Sequence, residues 1–432
     1  MRSMICVFVV ACLKVCAVRG ESPPPAADSP EARTLNNLGS LYFQHGDLVK
    51  AEALFRQAAT LGDPAAPLNL ASTLRAEGRY TEAEEAYRRA LAAPSAAALE
   101  ALAELYNDTA RYAEAEQMAR QALDLRRQTT PTDDAGVATT LNLLGVLATR
   151  QERAADAVIF LEQALAAIDH HNPGGNKGLR ADILVNLGNA ERRKGNLGNA
   201  ETHLNLALDL VSSDRGTRRA AALTGLSLLA RERGDFKQAR TLAARAADAL
   251  REAVGTEHPD YAASLVNLAT MEQDLHQDRK ARELYTEALR IDEEKLSPDH
   301  PRIGADLNNL GVVSARLREY ALAESYFLKA LDAEGRRDPG GVQLALWTAN
   351  LAGLYAKQHR DAEALNRFRS ATAVLCAKDA GDMRVAGILQ QYAGLLRANG
   401  SFAEAEDAEA RAMHIRVKFA LVNPNDARAA GL

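Results

Sequence analysis

Small and apolar residues recur along this chain at helical spacing, in one unit written ten times. Leu265-Val266-Asn267-Leu268-Ala269 is followed by Ala281 and Ala288, and Asn308-Asn309-Leu310-Gly311 by Ala323 and Ala330. A small residue stands at Gly39, Ala71, Ala103, Gly145, Gly188, Ser227, Ala269, Gly311, Ala352 and Ala393. Twelve residues after each stands an alanine, from Ala51 to Ala405, and nineteen after each stands another, from Ala58 to Ala412. All ten units keep all three columns, which chance placement of a common residue does not produce. Helices that cross at about 8–10 Å need little bulk at the crossing, and a larger residue there overpacks at roughly 1–3 kcal/mol. Seven residues after the small position, Gly46, Gly78, Gly195, Gly234 and Gly400 mark a turn, since glycine accepts the left-handed conformation that closes a helix. Ala110, Glu152, His276, Arg318 and His359 replace it elsewhere, so those turns are expected to be made otherwise. Each unit therefore reads as helix, tight turn, helix.

Leu38-Gly39, Tyr42, Gly46, Ala51, Phe55 and Ala58 resemble the tetratricopeptide repeat, as do Ala83, Tyr87 and Ala90, and Ala323, Phe327 and Ala330. The usual period of that repeat is about 34 residues. Here the small positions are spaced 32, 32, 42, 43, 39, 42, 42, 41 and 41 residues apart. The longer units resemble those of kinesin light chain and its bacterial relatives. Gly255-Thr256-Glu257-His258-Pro259-Asp260-Tyr261-Ala262 and Ser297-Pro298-Asp299-His300-Pro301 match the linker of that subtype. The resemblance implies an all-α, right-handed superhelical solenoid of about ten helix-turn-helix repeats over residues 31–420. Each unit is expected to touch only its neighbours. Units three and six, at Ala103 and Ser227, fit the pattern least well.

The ends read differently. Met1-Arg2-Ser3 and the apolar run Ile5–Leu13 form a signal peptide over residues 1–20, with possible cuts after Ala17 or Gly20. The run is too short to span a bilayer, which takes about 20 apolar residues. Val9-Val10-Ala11-Cys12 also resembles a bacterial lipobox, with Cys12 as the lipid acceptor. Export to a periplasmic or extracellular space is the expectation, and a cytoplasmic protein the alternative. Residues 21–30 are a proline-rich linker, extended and semi-rigid. Asn423-Pro424-Asn425 is expected to stop the last helix, leaving 421–432 as a tail. Removal of the leader leaves Cys376 alone, hence no intrachain disulfide.

Composition narrows the function. The chain is 47% hydrophobic and 25% charged, with a net charge of −5, which argues against broad nucleic-acid binding. No catalytic, cofactor or metal motif emerges. Gly174-Gly175-Asn176-Lys177-Gly178 lacks the spacing of a phosphate loop and the hydroxyl residue after lysine. His170-His171 has no third ligand at a helical spacing. His258 and His300 are expected to cap or pack helix starts, and Cys376 to sit in the core.

One column exceeds a packing role. Two residues before the small position stand Asn37, Asn69, Asn186, Asn267, Asn309 and Asn350. Asparagine is a poor mid-helix residue because its side chain competes for backbone hydrogen bonds. At about 100° per residue, offsets −6, −2, +1 and +5 fall between about 100° and 160°, opposite the packing positions between about 260° and 360°. The asparagines thus line the inner wall. In the family, asparagines of this column hold bound peptides, and an amide matches an extended backbone with both a donor and an acceptor. The other reading is that they bond across neighbouring helices and stiffen the coil. At +5 the wall carries Arg150, Arg193, Arg316 and Lys357 among acidic residues. Arg316 and Lys357, in adjacent units beside Asn309 and Asn350, are the favoured spot for an acidic segment. The resulting expectation is a non-catalytic scaffold that binds an extended peptide or protein segment in its concave groove, without cofactor. The alternative is the regulatory or sensor arm of a larger enzyme or signalling assembly.

Overall fold

The computed structural model describes residues 29–422 except 92–94, 129–132, 172–174, 213–215 and 379–382. The signal peptide, Cys12, most of the proline-rich linker and residues 423–432 lie outside the described residues. All regular structure among the described residues is α-helical, in ten consecutive pairs. The first five pairs are α1 (Pro30–Gln44) and α2 (Leu48–Thr60), α3 (Ala66–Ala76) and α4 (Tyr80–Ala90), α5 (Ala96–Asp108) and α6 (Tyr112–Gln128), α7 (Asp134–Arg150) and α8 (Ala154–His171), and α9 (Lys177–Arg193) and α10 (Leu197–Leu210). The second five are α11 (Thr217–Glu232) and α12 (Phe236–Val254), α13 (Pro259–Asp274) and α14 (Asp278–Lys295), α15 (Pro301–Arg316) and α16 (Tyr320–Arg337), α17 (Val342–Lys357) and α18 (Asp361–Ala377), and α19 (Met383–Ala398) and α20 (Phe402–Val422).

The three small columns are the spine of the packing, and all of their residues are buried except half-buried Ala90 at the end of α4. The first column must be small because it receives a side chain from the second helix, sixteen residues on. A Cβ added at Gly39 would lie 2.8 Å from Phe55, at Gly188 2.7 Å from Leu204, and at Gly311 2.6 Å from Phe327. Ser227, the polar exception, is tolerated because its hydroxyl donates to the Ala239 carbonyl across the pair at 2.7 Å.

The turns within the pairs correct one expectation. Gly46, Gly78, Gly195, Gly234 and Gly400 take φ between 73° and 84°, and Ala110, Glu152, His276, Arg318 and His359 take φ between 58° and 64°. The same left-handed turn is made with or without glycine. Its backbone bonds are the reason: in each case the residue after the turn donates to a carbonyl of the preceding helix, as Arg111 does to Tyr106 at 2.8 Å and Arg79 to Leu74 at 2.9 Å.

Neighbouring repeats are stapled by a recurring ion pair. The arginine entering the second helix reaches the glutamate in the second helix of the repeat before, as in Arg79–Glu52 at 2.7 Å, Arg111–Glu84 at 2.8 Å and Arg360–Glu324 at 2.8 Å. Between α14 and the α15–α16 turn the charges are exchanged, with Arg282 on the earlier repeat and Glu319 on the later, at 2.6 Å. Successive odd helices also approach one another along most of the coil, and even helices make no comparable approach. The odd helices therefore form the inside of the curve, and the even helices its outside.

The coil also returns upon itself, which corrects the expectation that each repeat touches only its neighbours. The turns of repeats one and two, at Gly46 and Gly78, meet the linkers that start α13 and α15. Ser297 donates its amide to the Glu77 carbonyl at 3.2 Å, and buried Leu48 joins the core formed by Tyr285, Leu296, Ile303, Leu310 and Trp347. Curvature brings the first repeats round to the seventh and eighth, a distance in sequence that no local pattern encodes.

Candidate binding groove

The asparagine column lies where its periodicity predicted, on the inner faces of the odd helices, exposed at Asn37 and half-buried at Asn69, Asn186, Asn267, Asn309 and Asn350. Three of these amides are spent on the coil itself. Asn69 donates to Asn36 Oδ1 at 2.8 Å, Asn186 to Asn142 Oδ1 at 2.8 Å, and Asn350 to Asn308 Oδ1 at 2.9 Å. Each bond runs from one odd helix to the odd helix of the repeat before. Asn37, Asn267 and Asn309 make no side-chain hydrogen bond among the described residues. Both readings of the column thus have members: a stiffening ladder, and amides with donor and acceptor still available.

Sequence reasoning missed the acceptors, because Asn36, Asn142 and Asn308 sit one residue off the column. The signal was present as Asn36-Asn37 and Asn308-Asn309, two adjacent amides of which the first accepts from the following repeat.

Charge on the wall follows a second ladder. An arginine four residues after the small position pairs with the carboxylate at +5 in the next repeat. Arg75 reaches Asp108 at 3.0 Å and also Glu104, Arg192 reaches Glu232, and Arg231 reaches Asp274. The acidic +5 residues are therefore neutralised. The basic ones divide. Arg316 is held by Asp278 at 2.7 Å and also donates to the Gln273 carbonyl at 3.2 Å. Arg150, Arg193 and Lys357 make no ion pair among the described residues. Burial, then Arg192 and Arg150, hold the Arg193 guanidinium below its usual pKa, while Glu152 and Glu232 act in the other direction. The favoured spot at Arg316 and Lys357 keeps one unpaired cation, while Arg150 and Arg193 keep two in adjacent repeats.

His258 and His300 are the N-caps of α13 and α15, accepting from the Asp260 and Arg302 amides at 3.0 and 3.2 Å. Cys376 is half-buried in α18, packed against the edge of the core there and beside Arg411. His170 lies 3.5 Å from Asp134, and the His171 side chain and Gly174 fall outside the described residues. No group of metal-ligating side chains occurs among the described residues, and no described helix is long and apolar enough to cross a membrane.

Sequence comparison decides the family. The tetratricopeptide repeat profile matches residues 94–169, 179–252, 218–294 and 302–377, and two further profiles of the same repeat match 65–96 and 32–61. The chain is a tetratricopeptide repeat protein. No curated protein matches it in sequence. Among solved structures, a Rap protein complexed with competence and sporulation factor is 13% identical, with 91% of this chain and 99% of that chain covered and a TM-score of 0.55. The apo form of RapI is 14% identical over 65% of this chain and 98% of that one, with a TM-score of 0.52. The nearly identical repeats of a putative kinesin light chain from Podospora anserina are 19% identical over 46% of this chain and 96% of that one, with a TM-score of 0.38. These likenesses concern the fold. Tetratricopeptide repeats as a class form non-catalytic surfaces whose concave groove takes protein or peptide segments.

Proposed function

We propose that this tetratricopeptide repeat protein is a scaffold whose inner wall holds one extended protein segment, with a carboxylate of that segment seated between Arg150 and Arg193. The observation that supports this reading is the break in the wall's charge ladder. Every acidic +5 residue has its arginine, whereas these two guanidinia make no ion pair among the described residues and have Asp108, Glu152 and Glu232 only as more distant neighbours. Guanidinium groups pair with carboxylates in fork geometry, which adds geometric specificity to the attraction of opposite charges. The free amides of Asn267 and Asn309 supply donors and acceptors for the segment's backbone further along the same face.

The long repeats belong, on this reading, with the 42-residue units of the kinesin light chain type, because both linkers carry the His-Pro start. The basic, then apolar, start of the chain supports export, which the first residue of the mature protein would settle.

The test is selection of a displayed random-peptide library on the full chain. Enrichment of segments bearing Asp or Glu is expected, and Arg150→Glu with Arg193→Glu should weaken their binding at least tenfold, which is about 1.4 kcal/mol. Asn267→Ala with Asn309→Ala should weaken them without lowering the melting temperature. Enrichment without acidic residues, or binding indifferent to the arginine pair, would sink the proposal.

A further inference from the structure

The seam between the first two repeats and the seventh and eighth is built from matched parts. Gly46 and Gly78 are two of the positive-φ turn glycines, and each also leaves room for an imidazole. A Cβ on Gly46 would lie 2.8 Å from His258 Cδ2 and 3.1 Å from Pro259 Cδ. A Cβ on Gly78 would lie 2.8 Å from His300 Cδ2 and 3.3 Å from His300 Cα. At the other turn glycines, Gly195, Gly234 and Gly400, nothing approaches within 4 Å. The two histidines are themselves tied together. Arg302 follows His300, donates to the Pro259 carbonyl behind His258, and pairs with buried Asp292 at 2.9 Å. One rigid unit, two rings wide, thus faces two glycine sockets.

Each ring performs two tasks at once. Its Nδ1 accepts an amide from the helix it caps, and its Cδ2 edge fills a glycine socket across the seam. The Gln44 carbonyl also engages the His258 ring. Only a neutral imidazole has a nitrogen that can accept. A second proton removes the cap and places a cation beside the groups that already surround it. His258 is faced by Asp260 and Arg302 on its own side and by His45 from repeat one. His300 is faced by Arg302 and Arg337 on its own side, and its socket lies between Glu77, whose carboxylate is held by Arg79 at 2.9 Å, and Tyr80. Asp47 of repeat one stands near Lys295 and completes the charged groups at the seam. A protonated His300 would therefore stand beside Arg302 and Arg337, which are paired with Asp292 and Glu334, and would face no free carboxylate.

We infer that the coil is latched into a closed ring by His258 and His300 seated on Gly46 and Gly78, and that protonation of these rings opens the latch. The sign follows from linkage. Burial, then Arg302 and Arg337, lower the His300 pKa from 6.5 to about 4, and burial lowers that of His258. The closed form holds fewer protons than the open form between those limits, so closure is favoured above pH 6.5 and weakens as pH falls toward 4. Opening would separate the first repeats from the eighth and widen the entrance to the groove.

Small-angle scattering of the full chain from about pH 8 to about pH 5 tests this, with far-UV circular dichroism to show that the helices persist. The wild-type radius of gyration should rise as pH falls, and amide exchange at Ser297 should accelerate in step. Asparagine caps helices well and does not titrate. The doubly substituted His258→Asn, His300→Asn chain should keep one profile across the range, whatever its shape at neutral pH. Gly78→Val should scatter as the open form even at about pH 8. An unchanged wild-type profile, an equal acid response in the double variant, or a Gly78→Val profile identical to wild type would overturn the inference.

Discussion

The inner wall of repeats four and five and the seam on repeats one, two, seven and eight break the repeat rule in opposite ways. On the wall, a ladder that neutralises charge elsewhere stops, and two arginines make no ion pair among the described residues. At the seam, turn residues that elsewhere face open space acquire partners from more than two hundred positions away, as Gly46 does from His258. The difference teaches how to read a repeat protein. A column whose members are all satisfied by their neighbours is architecture. A member with too few partners points outward to another molecule, and one with too many points back to the chain.

The sharpest way to break the comparison is to remove the packing both regions share. Phe327→Ala empties the socket over Gly311 and should cost about 3–5 kcal/mol, lowering the melting temperature and abolishing both features. The core of repeats seven and eight, behind the seam, can be approached through its buried carboxylates. Asp306 and Asp292 face each other, and burial raises both above the ordinary carboxylate range, Asp306 further because of the Asp292 charge, while Arg302 and the Asp306 hydrogen bond draw Asp292 part of the way back. Acids whose folded pKa is raised stabilise the fold below their unfolded pKa, and that stability is lost as pH rises through the folded value. This contribution should therefore lower the melting temperature as pH rises from 3.8 to about 8, opposite in sign to the histidine effect, and Asp306→Asn should flatten that slope.

Smaller effects separate the two kinds of wall residue. Asn350→Ala removes the bond to Asn308 and should destabilise by about 0.5–1.5 kcal/mol, whereas Asn309→Ala should leave the melting temperature unchanged. Smallest of all, Arg150→Glu with Arg193→Glu should alter stability by no more than about 0.5 kcal/mol in a thermal melt. A large loss there would show that these arginines serve the fold, and the contrast with the seam would vanish.

Much of this was legible in the residues. The three small columns gave ten helix pairs because side-chain bulk at a helix crossing is a local constraint that recurs with the crossing. The asparagine column gave the inner wall because helical periodicity places offsets on faces. His258 and His300 were readable as caps, since a cap is satisfied within a few residues. The glycine turns were read too strictly. Backbone hydrogen bonds hold Ala110 and His359 in the same left-handed conformation, a cost that the packed pair overcomes.

What the sequence left open lies between residues that meet only through curvature. Asn69 and Asn36 find each other across one joint, Arg231 and Asp274 across another, and their partnership decides which polar groups remain free. Gly46 and His258 meet only after the coil has turned through repeats two to six. Small rotations at each joint add up over that path, and no short window of sequence holds their sum. The chain by itself determined the unit and its faces. The tertiary structure decided which of those faces are already occupied.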